Sequence, residues 1–100
     1  MPVKLIMTWD IQNGKEQEYF EFIGRSLMPA VNEMGLDMRE AWLTIYGDHP
    51  QILVSALFPN RQAAEKVIAS ENWQSMNESL LEFVDNYEQK IVPIKGAFQF

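Results

Sequence analysis

Apolar side chains occupy every second position at the start of the chain. Val3, Leu5, Met7 and Trp9 alternate with Lys4, Ile6, Thr8 and Asp10, the period of a β-strand with one fully apolar face. "QNGKEQE" then turns the chain, and Asn13 with Glu16 three residues on predicts a capping box at a helix start. Phe20, Ile23, Leu27, Val31 and Met34 fall on one helical stripe, with a kink or restart expected at Pro29 and a stop at Gly35. Residues 37–47, "DMREAWLTIYG", read as a second strand, "GDHP" (47–50) as a turn, and "QILVSALF" (51–58) as a third strand. The short separation predicts an antiparallel hairpin. Asn60 then caps a helix that turns Ala63, Ala64, Val67 and Ile68 inward. "SENW" interrupts it, and Trp73, Met76, Leu80, Phe83, Val84 and Tyr87 resume a helical stripe. "KIVPIKGAFQF" (90–100) reads as a last strand, placed at a sheet edge because Pro93 cannot donate to a ladder.

The order β-α-β-β-α-β predicts one α+β domain over residues 1–100: a ferredoxin-like, four-stranded antiparallel sheet with its helices on one face. "QILVSALF" complicates that picture. Ile52, Val54, Ala56 and Phe58 point one way and Leu53 and Leu57 the other, so the strand is greasy on both sides. Two helices cover only one face. The expected cover for the other is a second copy of the same sheet, giving a homodimer.

Composition narrows the function classes. The chain is 47% hydrophobic, lacks cysteine, and carries eight Lys and Arg against fourteen Asp and Glu, for a net charge of −6. Without a basic cluster, nucleic-acid binding is not expected. No apolar run is long enough to span a bilayer, and "MPVKLIMTWD" lacks the long apolar core of a signal peptide. A cytoplasmic domain is the expectation, in keeping with the missing cysteines.

Few residues offer chemistry. His49 is the chain's one histidine; on a turn it is either a solvated side chain or, with the hairpin tip over a cavity mouth, an acid or base. Trp9, Trp42, Tyr46 and Trp73 combine an apolar body with a polar handle, which suits both core packing and a ligand pocket. Asn77 is an amide on an apolar helix face and needs a partner if buried. Asp10, Arg25, Arg39 and Glu40 read as surface charge. One histidine and no cysteine build no zinc site, and no metal is expected. Pro2 would be a terminal secondary amine once Met1 is removed, the general base of a tautomerase, although no cation stands ready for a substrate carboxylate.

The strand "VKLIMTWD", the turn "NGK", the strand end "SALF" and the helix string "NRQAAEKVIASENWQSM" together resemble the dimeric α+β barrel superfamily, in particular its antibiotic-biosynthesis-monooxygenase-like branch. The resemblance implies a homodimeric barrel with a small-molecule cavity between each sheet and its helices, near Met7, Trp9 and the Trp73–Asn77 segment. Haem-degrading members need an Asn, a Trp and a His ligand where this chain has Met7, Val67 and Asn77, so neither haem nor another cofactor is expected. Two functions are expected: a cofactor-free oxygenase-like or isomerase-like enzyme for a small aromatic or polyketide-like compound, or a non-catalytic module that binds a small hydrophobic ligand or simply dimerises, which the scarcity of titratable groups on the inward faces favours.

Overall fold

The computed structural model describes residues 1–46 and 49–94, and for 39–46, 49 and 50 the backbone alone. Its elements are β1 (Val3–Ile11), α1 (Glu16–Phe22), a π-helical segment (Ile23–Leu27), α2 (Met28–Glu33), β2 (Asp37–Tyr46), β3 (His49–Phe58), α3 (Arg61–Ile68), α4 (Glu71–Leu80) and β4 (Val84–Pro93). The strands form one antiparallel sheet in the order β2-β3-β1-β4. This is the ferredoxin-like arrangement that the sequence predicts, with Pro93 on an edge strand.

In β1, Val3, Leu5, Met7, Trp9 and Ile11 are buried beneath the helices, and the residues between them are half-exposed. The first helix departs from expectation at its start. Asn13 does not cap it: the helix begins at Glu16 behind Lys15, and Glu16 instead accepts the Gly14 N–H at 2.8 Å, with Gly14 at φ +88°. The buried stripe also begins one residue earlier than expected, at Tyr19, leaving Phe20 53% exposed. Tyr19, Ile23, Leu27 and Val31 follow at four-residue intervals, the face presented to the sheet.

The expected disturbance at Pro29 is present and takes a definite form. Met28 N–H reaches back five residues to the Ile23 carbonyl, adding one residue to the turn just before the proline. Pro29 then falls in the first turn of α2, where a helix needs no N–H. The helix ends in a Schellman motif, with Gly35 N–H on Asn32 O at 3.1 Å and Leu36 N–H on Val31 O at 3.2 Å. Gly35 has φ +69°, the left-handed conformation this motif requires.

The β2–β3 hairpin pairs Tyr46 with His49, so His49 opens β3 where the sequence reading placed it in a turn. Asn60 caps α3 as expected, its Oδ1 accepting the Ala63 N–H at 2.8 Å. Ser70 caps α4, accepting from Trp73 N and donating to Val67 O.

The largest correction lies beyond α4. The helical stripe does not run to Tyr87; α4 ends at Leu80 and the chain turns, with Phe83 N–H on Leu80 O at 2.9 Å. The end of β1 holds that turn: Gln12 N–H donates to Phe83 O at 2.9 Å and Gln12 Nε2 to Val84 O at 3.2 Å. β4 starts at Val84, six residues before the expected strand, and residues 95–100 of that strand lie outside the described part.

On the face away from the helices, Ile6, Leu53, Leu57 and Val92 are half-buried, bordered by Thr8, Glu88 and Lys90. Among the described residues no helix is long and apolar enough to cross a membrane.

Candidate functional site

A cavity of about 220 Å³ lies between the sheet and the helices. Met7 and Trp9 of β1 and Ile52 and Val54 of β3 form its floor; Tyr19, Ile23, Leu27 and Val31 line the opposite side, and Trp73 and Asn77 of α4 close one flank. The fold brings them together for local reasons. The strand residues share the inward parity of the sheet, and Trp73 and Asn77 are four apart on one helix, so their side chains neighbour each other.

Three polar groups interrupt the apolar wall. The Tyr19 hydroxyl accepts the Trp9 indole N–H at 3.0 Å. Burial raises its pKa above the usual tyrosine value, the Trp9 bond pulling the other way, so it stays protonated at neutral pH. Trp73 Nε1 and Asn77 Oδ1 are both buried without a partner. One is a donor and the other an acceptor, and an unsatisfied buried polar atom costs about 1–3 kcal/mol. Both belong to residues that line the cavity.

Tyr87 stands behind this wall. Its ring stacks on Trp9 with centroids 5.9 Å apart and an interplanar angle of 10°. Its hydroxyl donates to Gln89 Oε1 at 2.9 Å. Burial pushes its pKa up to about 12, against the lowering effect of Asn77. A β-bulge sets the ring there. Thr8 pairs with Glu88 but Asp10 with Asp85, so Trp9 faces two residues, Asn86 and Tyr87. Asn86 takes φ +56° and donates its side-chain N–H to Asp10 Oδ2 at 2.8 Å.

Of the residues singled out in the sequence, Met7, Trp9, Trp73 and Asn77 meet at this cavity. The side chains of Trp42, Tyr46 and His49 lie outside the described part; in register Trp42 pairs with Leu53, and Tyr46 with His49. Arg25 is exposed on the π-helical segment, and Asp10 serves the bulge. Pro2 borders a separate surface depression whose described lining includes Asp37 and no cation. Tyr19 and Tyr87 were missed. Tyr19 was hidden by the neighbouring Phe20, which fits a helical stripe equally well, and Tyr87 by a bulge that erases strand alternation. The adjacent Asp85–Asn86 pair, residue types at home in the left-handed region, was the available signal.

No protein-family model matches the sequence, and no curated protein does. Solved structures do match the fold. A NIPSNAP family protein of Agrobacterium tumefaciens aligns over 96% of this chain and 89% of its own, at 16% identity and a TM-score of 0.71. An uncharacterized NIPSNAP domain protein of Burkholderia xenovorans aligns over 96% of both chains, at 17% identity and a TM-score of 0.69. SnoaB of Streptomyces nogalater, a cofactor-independent oxygenase, aligns over 97% of this chain and 96% of its own, at 11% identity and a TM-score of 0.68. The chain is therefore built on the ferredoxin-like α+β fold of NIPSNAP family proteins and of SnoaB, as its resemblance to the dimeric α+β barrels implies.

Proposed function

We propose that this protein binds a small, largely apolar compound of one or two rings carrying an oxygen function, in the cavity between its sheet and helices. The observation that carries this reading is the pair of unpartnered buried atoms, Trp73 Nε1 and Asn77 Oδ1, on an otherwise apolar wall. Size sets the ligand class. A cavity of about 150 Å³ holds benzene and drug-sized ligands use about 300–1,000 Å³, which puts 220 Å³ at one or two rings. The test is calorimetric titration with 1-naphthol. Saturable binding that weakens in Trp73→Phe and Asn77→Leu is expected; a wild-type protein with no saturable binding overturns the reading.

A second reading, that the protein is a cofactor-free isomerase-like or oxygenase-like enzyme, is supported by the Trp9–Tyr19 bond. Accepting from Trp9 polarises the Tyr19 hydroxyl, whose own proton has no acceptor among the described residues. On this reading that hydroxyl and the Trp73 N–H would stabilise an enolate oxygen, the charge formed when a substrate loses an acidic C–H proton. The described cavity residues include no carboxylate or imidazole, so on this reading the protein lowers the substrate's acidity barrier and solvent takes the proton. Deuterium exchange at C1 of 2-tetralone, followed by NMR, separates the readings. Exchange accelerated over buffer and reduced about 10²-fold in Tyr19→Phe supports catalysis; binding without acceleration leaves the non-catalytic module.

We further propose that the outer sheet face, with its half-buried Ile6, Leu53, Leu57 and Val92, is covered by a second copy of the chain. Sedimentation at micromolar concentration should give twice the 11.6 kDa of one chain, reverting to one chain in Leu53→Lys. A wild-type protein that sediments as a single chain removes the homodimer.

A further inference from the structure

The wall of the cavity is not equally shielded all round. On the floor, Met7 and Trp9 of β1 are buried, yet their cross-strand partners on β3, Val54 and Ile52, are only half-buried. Met38 of β2, the next strand out, is half-buried as well, and all five side chains line the same space. Exposure therefore grows across the sheet from β1 towards the β2 edge. Further along β3, Ala56 and Phe58 are buried again, so on that strand the thin cover is confined to the stretch beside the cavity.

The helix layer has a matching weak point. Among the described residues that line the cavity, Met28 alone is exposed, at 44%. An apolar side chain that borders both the interior and solvent is what the rim of an opening requires. Its backbone is held, with the Met28 N–H on the Ile23 carbonyl and Pro29 next in the chain. The side chain is free to move instead: methionine is unbranched and turns about three bonds.

We propose that ligand enters the cavity between the helix layer and the β2 side of the sheet, and that the Met28 side chain is the gate. Met28 then sets how fast a ligand exchanges and has little influence on how tightly it is held, since the gate stands closed in both the free and the bound state. This inference rests on the cavity being a ligand site and adds the route by which that site is reached.

The experiment is stopped-flow mixing with 1-naphthol, followed through the fluorescence of Trp9 and Trp73 in the cavity wall. Met28→Ala shortens the gate and should raise the association and dissociation rate constants together, each about tenfold, with Kd within about threefold of the wild type. Met28→Trp enlarges it and should lower both rate constants by a similar factor. Phe20→Ala is the control, an exposed apolar residue of α1 outside the cavity wall, and should leave both unchanged. Rate constants that stay at wild-type values in both Met28 variants overturn the gate while the ligand site stands. A change in dissociation alone makes Met28 an ordinary wall contact and overturns the gate equally. A wild type with no saturable binding overturns the ligand site, and the gate with it.

Discussion

Trp9 donates its indole N–H to the Tyr19 hydroxyl at 3.0 Å, joining β1 to α1 through a hydrogen bond between two side chains that are each 3% exposed. A donor and an acceptor buried together cost little; either one alone is expensive. Trp9→Phe removes the donor, leaves a gap where the larger indole stood, and strips Tyr87 of part of its stacking partner. The expected loss is about 2–4 kcal/mol of unfolding free energy, read from urea denaturation. Tyr19→Phe strands the indole N–H but keeps the ring volume, so it should cost less, about 1–3 kcal/mol. Equal stability of wild type and Trp9→Phe would show that the bond contributes nothing.

Tyr19 and Tyr87 both hold their protons beyond the usual tyrosine value, Tyr87 to about 12, burial being the main cause in each. The folded pKa lies above the unfolded one, so the stabilisation is complete below pH 10 and lost as pH climbs towards 12. In that interval the unfolded chain gives up protons that the folded chain retains. Absorbance at 295 nm should therefore show delayed ionisation of Tyr19 and Tyr87 in the folded protein, and ordinary ionisation of both in urea. Tyr87→Phe should remove the step near pH 12. Superimposable titrations of folded and unfolded protein would contradict the burial of both hydroxyls.

How far the chain announced this arrangement varies with how local the determining physics is. The strict alternation in β1, the hairpin, the Asn60 cap and the edge position of Pro93 follow from short-range rules, and all are present. The boundary between α4 and β4 does not. Trp73, Met76, Leu80, Phe83, Val84 and Tyr87 keep a helical spacing, and what stops the helix is a tertiary contact, Gln12 holding Phe83 and Val84 from 72 residues or so away. The site divides in the same way. Trp73 and Asn77 share a helix face and were legible together, whereas Tyr87 reaches Trp9 only because a bulge changes its register.

Gly35 tests the Schellman motif without interference from packing. A Cβ there would meet nothing within 4 Å, so Gly35→Ala measures the backbone alone. At φ +69° the substitution should cost about 1–2 kcal/mol, by thermal or urea unfolding. Ser70→Ala should cost a similar amount, about 1 kcal/mol, because it exposes both Trp73 N and Val67 O at the junction of α3 and α4. A neutral Gly35→Ala would mean that the α2 end relaxes out of the left-handed conformation.

Asn86 is the described non-glycine residue held at positive φ, and the geometry of the site depends on it. Val84 faces inward opposite Ile11, while Thr8 pairs with Glu88; without an extra residue between them β4 could not keep both pairings. Asn86 supplies that residue, and its bond to Asp10 holds the kink. Asn86→Gly keeps the conformation and loses only the exposed bond, so stability should change by less than about 1 kcal/mol. Asn86→Val is different, because a β-branched side chain resists φ +56°. It should destabilise the fold by about 2 kcal/mol or more and weaken the near-ultraviolet circular dichroism of the stacked Trp9 and Tyr87. If Asn86→Val kept both the stability and that signal, the bulge would not be what carries Tyr87 to Trp9.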